Sequence, residues 1–495
     1  MTSLPNGSTE TTVLLSSTDD QEWNGGRTGY SSSTITSDEN VFDGGESRTS
    51  WQHEAKILAK SSQTLILTYL LQYSLNVASM ASVGHLGKIE LGAASLASVT
   101  SNITGWGMYQ GLSTALDTLC PQAYGSGKPK LVGLQFQRMV YFLWLATIPI
   151  AITWFFSADI LLKLVPDHEV AILTGKYLKV LILATPAYAT FEAGKRYVQA
   201  QDLFNSTLWV LLVCAPVNAF LNWLFVWKFQ WGFIGSPIAM VVTINLEAFL
   251  LCLYVVLING HQCWSGFSRQ ALKNWGPMIR LALPGLIMVQ AELFGFELLT
   301  LLSSYFSNTH LAAQSVVSTI ALVAWLIPFS ISVAAGTRIG NLIGAIKPQS
   351  AKIAAAVSLG LACCSGTVLG TLIGSLRYQL PKIFTGDPDV IALAATVLPI
   401  VAAYQIFDSL AAICHGILRG LGRQKIGGIV GLVSWYVVGM PISLATGFGL
   451  GWELHGMWFG TAIALVLSTT VEALVIWKTS WQKVIEQAVK RNSID

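Results

Sequence analysis

Three carboxylates stand in stretches of sequence that are otherwise apolar. The segment LALPGLIMVQAELFGFELLTLLSS, residues 281–304, carries Glu292 and Glu297, and VAAYQIFDSLAAICHGILRGLGRQ, residues 401–424, carries Asp408. A charged side chain at the centre of a membrane helix costs at least about 2.5–3.5 kcal/mol on insertion scales, so such residues are rare and are usually retained for function. Burial disfavours the ionised form of a carboxyl, which lets a buried Glu or Asp exchange a proton at physiological pH where an exposed one stays ionised. A protonated acid and a carboxylate facing a bound cation exclude each other. Cation release and proton uptake are then coupled by chemistry, which is the logic of an antiporter.

The competing reading is that these carboxylates pair internally, for example with Arg338 or Lys195, to hold helices together. Those cations fall near cytoplasmic ends, far from Glu292. Glu192, Lys195 and Arg196, in PAYATFEAGKRYVQAQ, are spaced to pair with one another or to snorkel. Asp117, Glu247 and Glu472 sit near span ends or are weakly placed and read as structural. His415, two turns beyond Asp408, reads either as a proton relay or as a hydrogen-bonded core histidine. Trp106, Tyr305, Trp325 and Tyr404 offer aromatic faces for an organic cation, packing being the plainer role.

The elements that position these residues follow from composition. Of 495 residues, 53% are hydrophobic and only 11% charged, against roughly 25% charged in a soluble domain. About 20 apolar residues cross a bilayer as a helix, and helices are required because lipid cannot satisfy an open backbone. Twelve runs qualify: about 57–83, 91–120, 131–158, 170–201, 205–228, 235–259, 275–305, 311–340, 350–378, 389–421, 425–447 and 454–478. Lys and Arg collect in the loops after even-numbered runs, such as Lys128 and Lys130, Arg269 and Lys273, Lys347 and Lys352, and Arg419 and Arg423. Loops after odd-numbered runs are neutral or acidic, as at Asp167, Asp387 and Glu453. Cytoplasmic loops are the basic ones, which places both termini in the cytoplasm.

The chain also resembles itself at an offset of about 220 residues. LGAASLAS from Leu91 aligns with LAAQSVVS from Leu311, YGSGK ending at Lys128 with IGAIK ending at Lys347, and WGFIG ending at Gly235 with WELHG ending at Gly456. The expected fold is therefore an all-α polytopic membrane protein, twelve transmembrane helices in two parallel six-helix lobes around a central cleft, as in transporters whose halves rock about a midplane site. The expected organisation is a disordered cytoplasmic tail at 1–54, an N-lobe at 55–262, a C-lobe at 263–480 and a cytoplasmic C-terminal tail at 481–495.

Other chemistries are excluded. YGSGK lacks the remainder of a phosphate-binding loop, which removes ATP drive of that kind. The seven cysteines show neither metal-ligand spacing nor a disulfide framework. No metal or cofactor is expected, no catalytic motif marks a hydrolase, no nucleic-acid partner is expected, and the net charge of +3 says little about partners.

GMYQGLSTALDTLCPQAYGSGK followed by LQFQR, then PAYATFEAGKRYVQAQ, then GILRGLGRQKIGGIVGLVSWYVVGMPISL, resemble the eukaryotic, fungal-like branch of the multidrug and toxic compound extrusion (MATE) family over about 55–480. The resemblance implies two six-helix lobes around a cleft and export, by a monomer, of organic cations or xenobiotics against protons or sodium. Its seventh-helix glutamate pair falls on Glu292 and Glu297, its tenth-helix acid on Asp408 and its second-helix asparagine on Asn102. Prokaryotic members carry an acid in the first helix, where TYLLQYSLNVASM offers only Gln72 and Asn76, so an N-lobe ion site is not implied. Many vertebrate members carry a further C-terminal helix, and this sequence ends soon after Lys478. A sodium-coupled exporter and a flippase for lipid-linked precursors are the alternatives; a flippase favours a cationic cleft, and this one is acidic.

ETTVLL, Glu10–Leu15, fits an acidic dileucine sorting pattern and points to the vacuolar membrane ahead of the plasma membrane. Leu14→Ala combined with Leu15→Ala should move a fluorescently tagged protein from the vacuolar to the plasma membrane; an unchanged distribution would show the motif to be idle.

Overall fold

The computed structural model describes residues 49–165 and 167–493. The ETTVLL motif lies outside the described residues. The first lobe comprises α1 (Trp51–Gly84), α2 (residues 88–125), α3 (Pro129–Phe155), α4 (His168–Ala200), α5 (Phe204–Lys228) and α6 (Gly232–Leu257). The second comprises α7 (Gly276–Ser303), α8 (Asn308–Gly344), α9 (Pro348–Ser375), α10 (Pro388–Leu421), α11 (Gln424–Gly449) and α12 (Glu453–Trp477). The helices from α3 to α12, 25 to 37 residues long, are apolar enough to cross a bilayer by length and composition; α1 and the interrupted α2 complete the twelve.

Local sequence explains where the helices start and bend. Ser50 accepts from the His53 amide at the head of α1, and Asp387 from the Asp389 amide at the head of α10, each satisfying an amide that has no partner within the helix. Pro129, Pro348 and Pro388 occupy first turns, where a missing N–H costs nothing. Within α2, the stretch Asn102–Trp106 winds as a π-helix, and in α11 Val433–Gly439 does so just before Pro441, leaving the backbone wider where side chains converge.

The buried clusters follow the lobes but cross their boundary, since Met278, Leu281 and Ala282 of α7 join that of the first lobe and Leu58 and Leu65 of α1 pack with Ala334 and Ala335 of α8. Tyr109, Trp154 and Phe191 are fully buried in the first, whereas Val317, Leu398 and Trp458 centre one cluster of the second and Ile339, Ile417 and Leu418 another. The lobes meet where α2 crosses α7 and α8, and where α1 runs along α8. Glycines make this approach close: a Cβ on Gly125 would lie 2.0 Å from the Asn341 carbonyl oxygen, and one on Gly344 2.2 Å from that of Gln122. These contacts run from mid-membrane to the side carrying the basic loops. The lobes are in direct contact there.

Residues 481–493, expected as a tail, form a further helix, α13 (Trp481–Ser493). At 13 residues it is too short to span and too charged to register as apolar. Its stripe of Val484, Ile485 and Ala488 packs into the core around Ile339 and Leu418. Its end reaches the other lobe: Arg491 donates to Gln122 Oε1 at 2.8 Å, Asn492 to the Gln122 carbonyl at 3.1 Å, and Lys128 to the Asn492 carbonyl at 2.7 Å.

Within the second lobe α8 and α10 touch backbone to backbone, and a Cβ on Gly416 would lie 2.3 Å from the Ser332 carbonyl oxygen. Gly416→Ala should destabilise the protein by about 1–3 kcal/mol, the usual cost of overpacking. Gly360→Ala, whose Cβ meets nothing within 4 Å, should leave it equal or slightly more stable. Thermal unfolding of the detergent-purified proteins reads both.

Candidate functional site

The acidic residues of the second lobe gather around α10. Asp408 is 5% exposed, and its Oδ2 accepts from Gln405 Nε2 at 3.0 Å. Glu292, half-buried on α7, is in electrostatic reach of Asp408 and of His415, Arg419 and Glu472. His415 Nε2 lies 3.1 Å from Glu472 Oε1 on α12, while Glu472 Oε2 is buried without a partner. Among the described residues these two carboxylates, Asp408 and Glu292, lie in electrostatic reach of each other, neither is bonded to a cation, and only Gln405 donates to Asp408. Such a pair disfavours double ionisation.

An aromatic wall adjoins this group. Tyr404, one turn before Asp408, stacks on Trp458 with centroids 6.2 Å apart and planes 8° apart, and Trp458 is fixed by donating to Gln314 Oε1 at 2.7 Å. Phe296 lies 5.1 Å from Trp435 and 6.1 Å from Trp458. Gly295, between the two glutamates, admits the Trp435 ring; a Cβ there would lie 2.6 Å from it. The Tyr404 hydroxyl is 4% exposed as a residue and has no hydrogen-bond partner. Tyr436, in the π-helical turn of α11, donates to the Ala291 carbonyl at 2.9 Å and steadies α7 beside Glu292. Carboxylates flanked by stacked rings suit an organic cation.

The other sequence candidates fall elsewhere. Glu297, five residues beyond Glu292 and so about 140° around the helix, is half-buried and outside this group. Tyr305 lies in the turn after α7, 73% exposed, and is not part of the wall; the apolar run continues past the helix, so its end is not marked in sequence. Asn102 and Asn76 are exposed into a small cavity of about 20 Å³ in the first lobe, shared with Ser98 and Ser101. Gln72, one turn from Asn76, accepts from Lys195 Nζ at 3.3 Å. Among the described residues no three His, Cys, Asp or Glu side chains cluster as a metal site, and Arg338 pairs with Glu54 at 2.7 and 2.8 Å rather than with the carboxylates above.

A second charged layer lies nearer the basic side. Glu192 pairs with Lys195 and Arg196. Asp117 on α2 lies 3.5 Å from Arg196 and 3.7 Å from Arg419 of the other lobe. Thr118 Oγ1 donates to the Arg419 carbonyl and accepts from Gln424 Nε2 at 2.7 Å, and Gln122 donates to the Gly420 carbonyl at 2.9 Å. Sequence reading anticipated the pairing of Glu192 with Lys195 and Arg196 but missed the part of this layer that crosses between the lobes, because Arg419 reads as a loop charge and Asp117 as a span end. It missed Glu472 for the same reason. The one signal available was spacing, since His415 and Lys195 are 220 residues apart, the offset of the repeat.

Comparison with known proteins matches this architecture. The MatE family model matches twice, at residues 64–224 and 284–444. An uncharacterized transporter of Schizosaccharomyces pombe is 41% identical over 88% of this chain and 82% of its own length. Multidrug and toxin extrusion protein 1 of Homo sapiens is 34% identical over 89% of this chain and 77% of its own. The crystal structure of the eukaryotic MATE transporter AtDTX14 superimposes with a TM-score of 0.86 at 29% identity, covering 89% of this chain and 99% of that one.

If the layer around Asp117 and Arg419 seals the cleft, a cysteine pair across it should lock the lobes. Thr118→Cys with Gln424→Cys, with Cys120 and Cys414 replaced, should cross-link under mild oxidation and lose transport, and reduction should restore it. Asp117→Asn should slow the cross-link severalfold. Rapid cross-linking with transport intact would show that the layer does not open during the cycle.

Proposed function

Because the chain belongs to the MatE family of multidrug and toxin extrusion transporters, we propose that it is a proton-coupled antiporter that exports organic cations and xenobiotics by alternating access. It is a multi-pass membrane transporter and not an enzyme. The observation that carries the finer reading is that Asp408 and Glu292 lie in electrostatic reach of each other, with the unpartnered Tyr404 hydroxyl and the Trp458 ring beside Asp408. When the pair is deprotonated, the pocket presents negative charge beside aromatic faces and takes up a cation. When it is protonated, the charge is gone and the cation leaves. With the lobes in contact on the basic side, protons arrive from the opposite compartment and drive substrate out into it.

The donor set favours protons over sodium. Asp408 is approached by an amide N–H from Gln405, which repels a metal cation, whereas a hard cation collects six or more oxygens. The acidic character of the group argues against a flippase for anionic lipid-linked precursors. A vacuolar membrane, whose lumen is acid, supplies the gradient this polarity requires, and the monomer contains both lobes of the cycle.

Glu292→Gln and Asp408→Asn keep shape and hydrogen bonding but cannot titrate, and they remove a charge that costs insertion energy. Expression should hold or improve, while uptake of a cationic probe into vesicles under an imposed pH gradient should fall at least tenfold. Glu297→Gln should be milder and vary with substrate. Near-normal exchange by purified Glu292→Gln would refute the coupling role, and uptake driven by a sodium gradient alone would replace the proton with sodium.

A further inference from the structure

Glu247, on α6, has no place in the site described above. It is 1% exposed, and its Oε1 has no hydrogen-bond partner. Facing it from α4 are Lys195, Glu192 and the Tyr188 hydroxyl, and from α5 the Cys214 thiol. From α1, Gln72 accepts from Lys195 at 3.3 Å, and the Tyr69 ring lies 5.6 Å from the same ammonium. Lys195 is already paired with Glu192 at 2.5 Å. Glu247 is therefore a buried acid in the field of a cation that another carboxylate holds.

The repeat gives this arrangement a counterpart. The two segments matched by the family model are displaced by 220 residues. At that offset Gln72 falls on Glu292 and Lys195 falls on His415. Counted from the matching Gly235 and Gly456, Glu247 comes 12 residues on and Glu472 comes 16, one turn apart on the same helix face. In the second lobe, His415 of the fourth helix is bonded to Glu472 of the sixth and lies in reach of Glu292 of the first. In the first lobe, Lys195 of the fourth helix is bonded to Gln72 of the first and lies in reach of Glu247 of the sixth. The same three helix positions are used twice, with one exchange. The second lobe carries acids on both its first and sixth helices, whereas the first lobe has an amide on the first helix and keeps its acid on the sixth.

We propose that Gln72, Lys195 and Glu247 form a second proton-binding site, in the first lobe, with Glu247 as the group that gains and loses the proton. A proton from water adds to one oxygen of the Glu247 carboxylate. Lys195 remains an ammonium bonded to Glu192 throughout, so no second charge moves. The cavity lined by Asn76 and Asn102 begins one turn along α1 from Gln72, and at about 20 Å³ it has room for a water molecule. The absence of a first-helix acid thus does not deprive this lobe of a titrating group.

The inference rests on proton-coupled transport for its role in the cycle, but its chemistry can be tested apart from that. Infrared difference spectra of the purified full-length protein, recorded between acidic and alkaline pH, report protonated carboxyls by their C=O stretch. Glu247→Gln should remove one titrating band that Glu292→Gln leaves in place. In proteoliposomes it should lower the number of protons exchanged per probe cation by one, with uptake retained. Lys195→Gln should move the pH at which that band appears while Glu247 is still present, a readout that survives if Glu247→Gln folds poorly. A Glu247→Gln spectrum identical to wild type, or a band untouched by Lys195→Gln, overturns the site. A lost band with unchanged stoichiometry overturns its role in transport. Failure of wild-type vesicles to respond to a pH gradient overturns the antiport reading and leaves the spectral result standing.

Discussion

Hydrocarbon cannot solvate a charge, and that constraint sorts the ionisable residues of the helices into two classes. Glu54 with Arg338, Glu192 with Lys195 and Arg196, Asp117 with Arg196 and Arg419, and His415 with Glu472 are mutually paired. Removing one partner of such a pair strands the other, a loss of about 3–5 kcal/mol when the pair is buried. These groups hold shape. Among the described residues Glu292, Glu297, Asp408 and Glu247 have no cation within bonding distance. These are the groups that the proposed proton-coupled cycle would use.

The position of the paired charges matters as much as the pairing. Apart from His415 with Glu472, they lie toward the basic side, where α2 meets α7, α8 and α10 through glycine contacts. Lobes that rock apart must break this layer, and the opening that breaks it also admits water. The separated charges are then hydrated rather than stranded, so a seal built of ion pairs and backbone hydrogen bonds can reopen where a buried salt bridge would not. α13 extends the same seal by carrying hydrogen bonds from one lobe to the α2–α3 turn of the other. Its amphipathic stripe lets it do so at the surface.

The features legible in sequence are those imposed by lipid. Twelve apolar runs, the alternation of basic loops and the three carboxylates in apolar segments each report a cost that the bilayer imposes residue by residue. The spans lie within a few residues of the helices, α1 apart, which begins at Trp51 instead of about 57 because its first turns, with Glu54 and Lys56, continue the helix beyond the apolar run. What escaped was set by partners distant in sequence. Asp117 and Arg419 are 302 residues apart, and neither is unusual until the other is placed beside it. Glu247 and Glu472 read as structural because their burial depends on neighbouring helices. The Tyr404 and Trp458 stack depends on the rotation of α12 against α10, which no local pattern encodes.

Arg419 joins the two layers, and from its position the coupling of protons to movement can be argued. Its guanidinium lies 3.7 Å from Asp117 across the lobe boundary and within the field of Glu292. α10 carries Asp408, His415 and Arg419 along one helix, with successive separations of seven and four residues, close to whole turns, so all three project to one side. A proton on Glu292 removes one of the two negative charges competing for Arg419 and leaves Asp117 as its counter-ion, which favours the sealed arrangement seen here. Loss of that proton restores the competition and weakens the bond across the boundary. If the proposed proton coupling holds, the charge that would bind substrate and the charge that holds the lobes together act on the same arginine, and proton occupancy of Glu292 would bias which side of the cleft is closed.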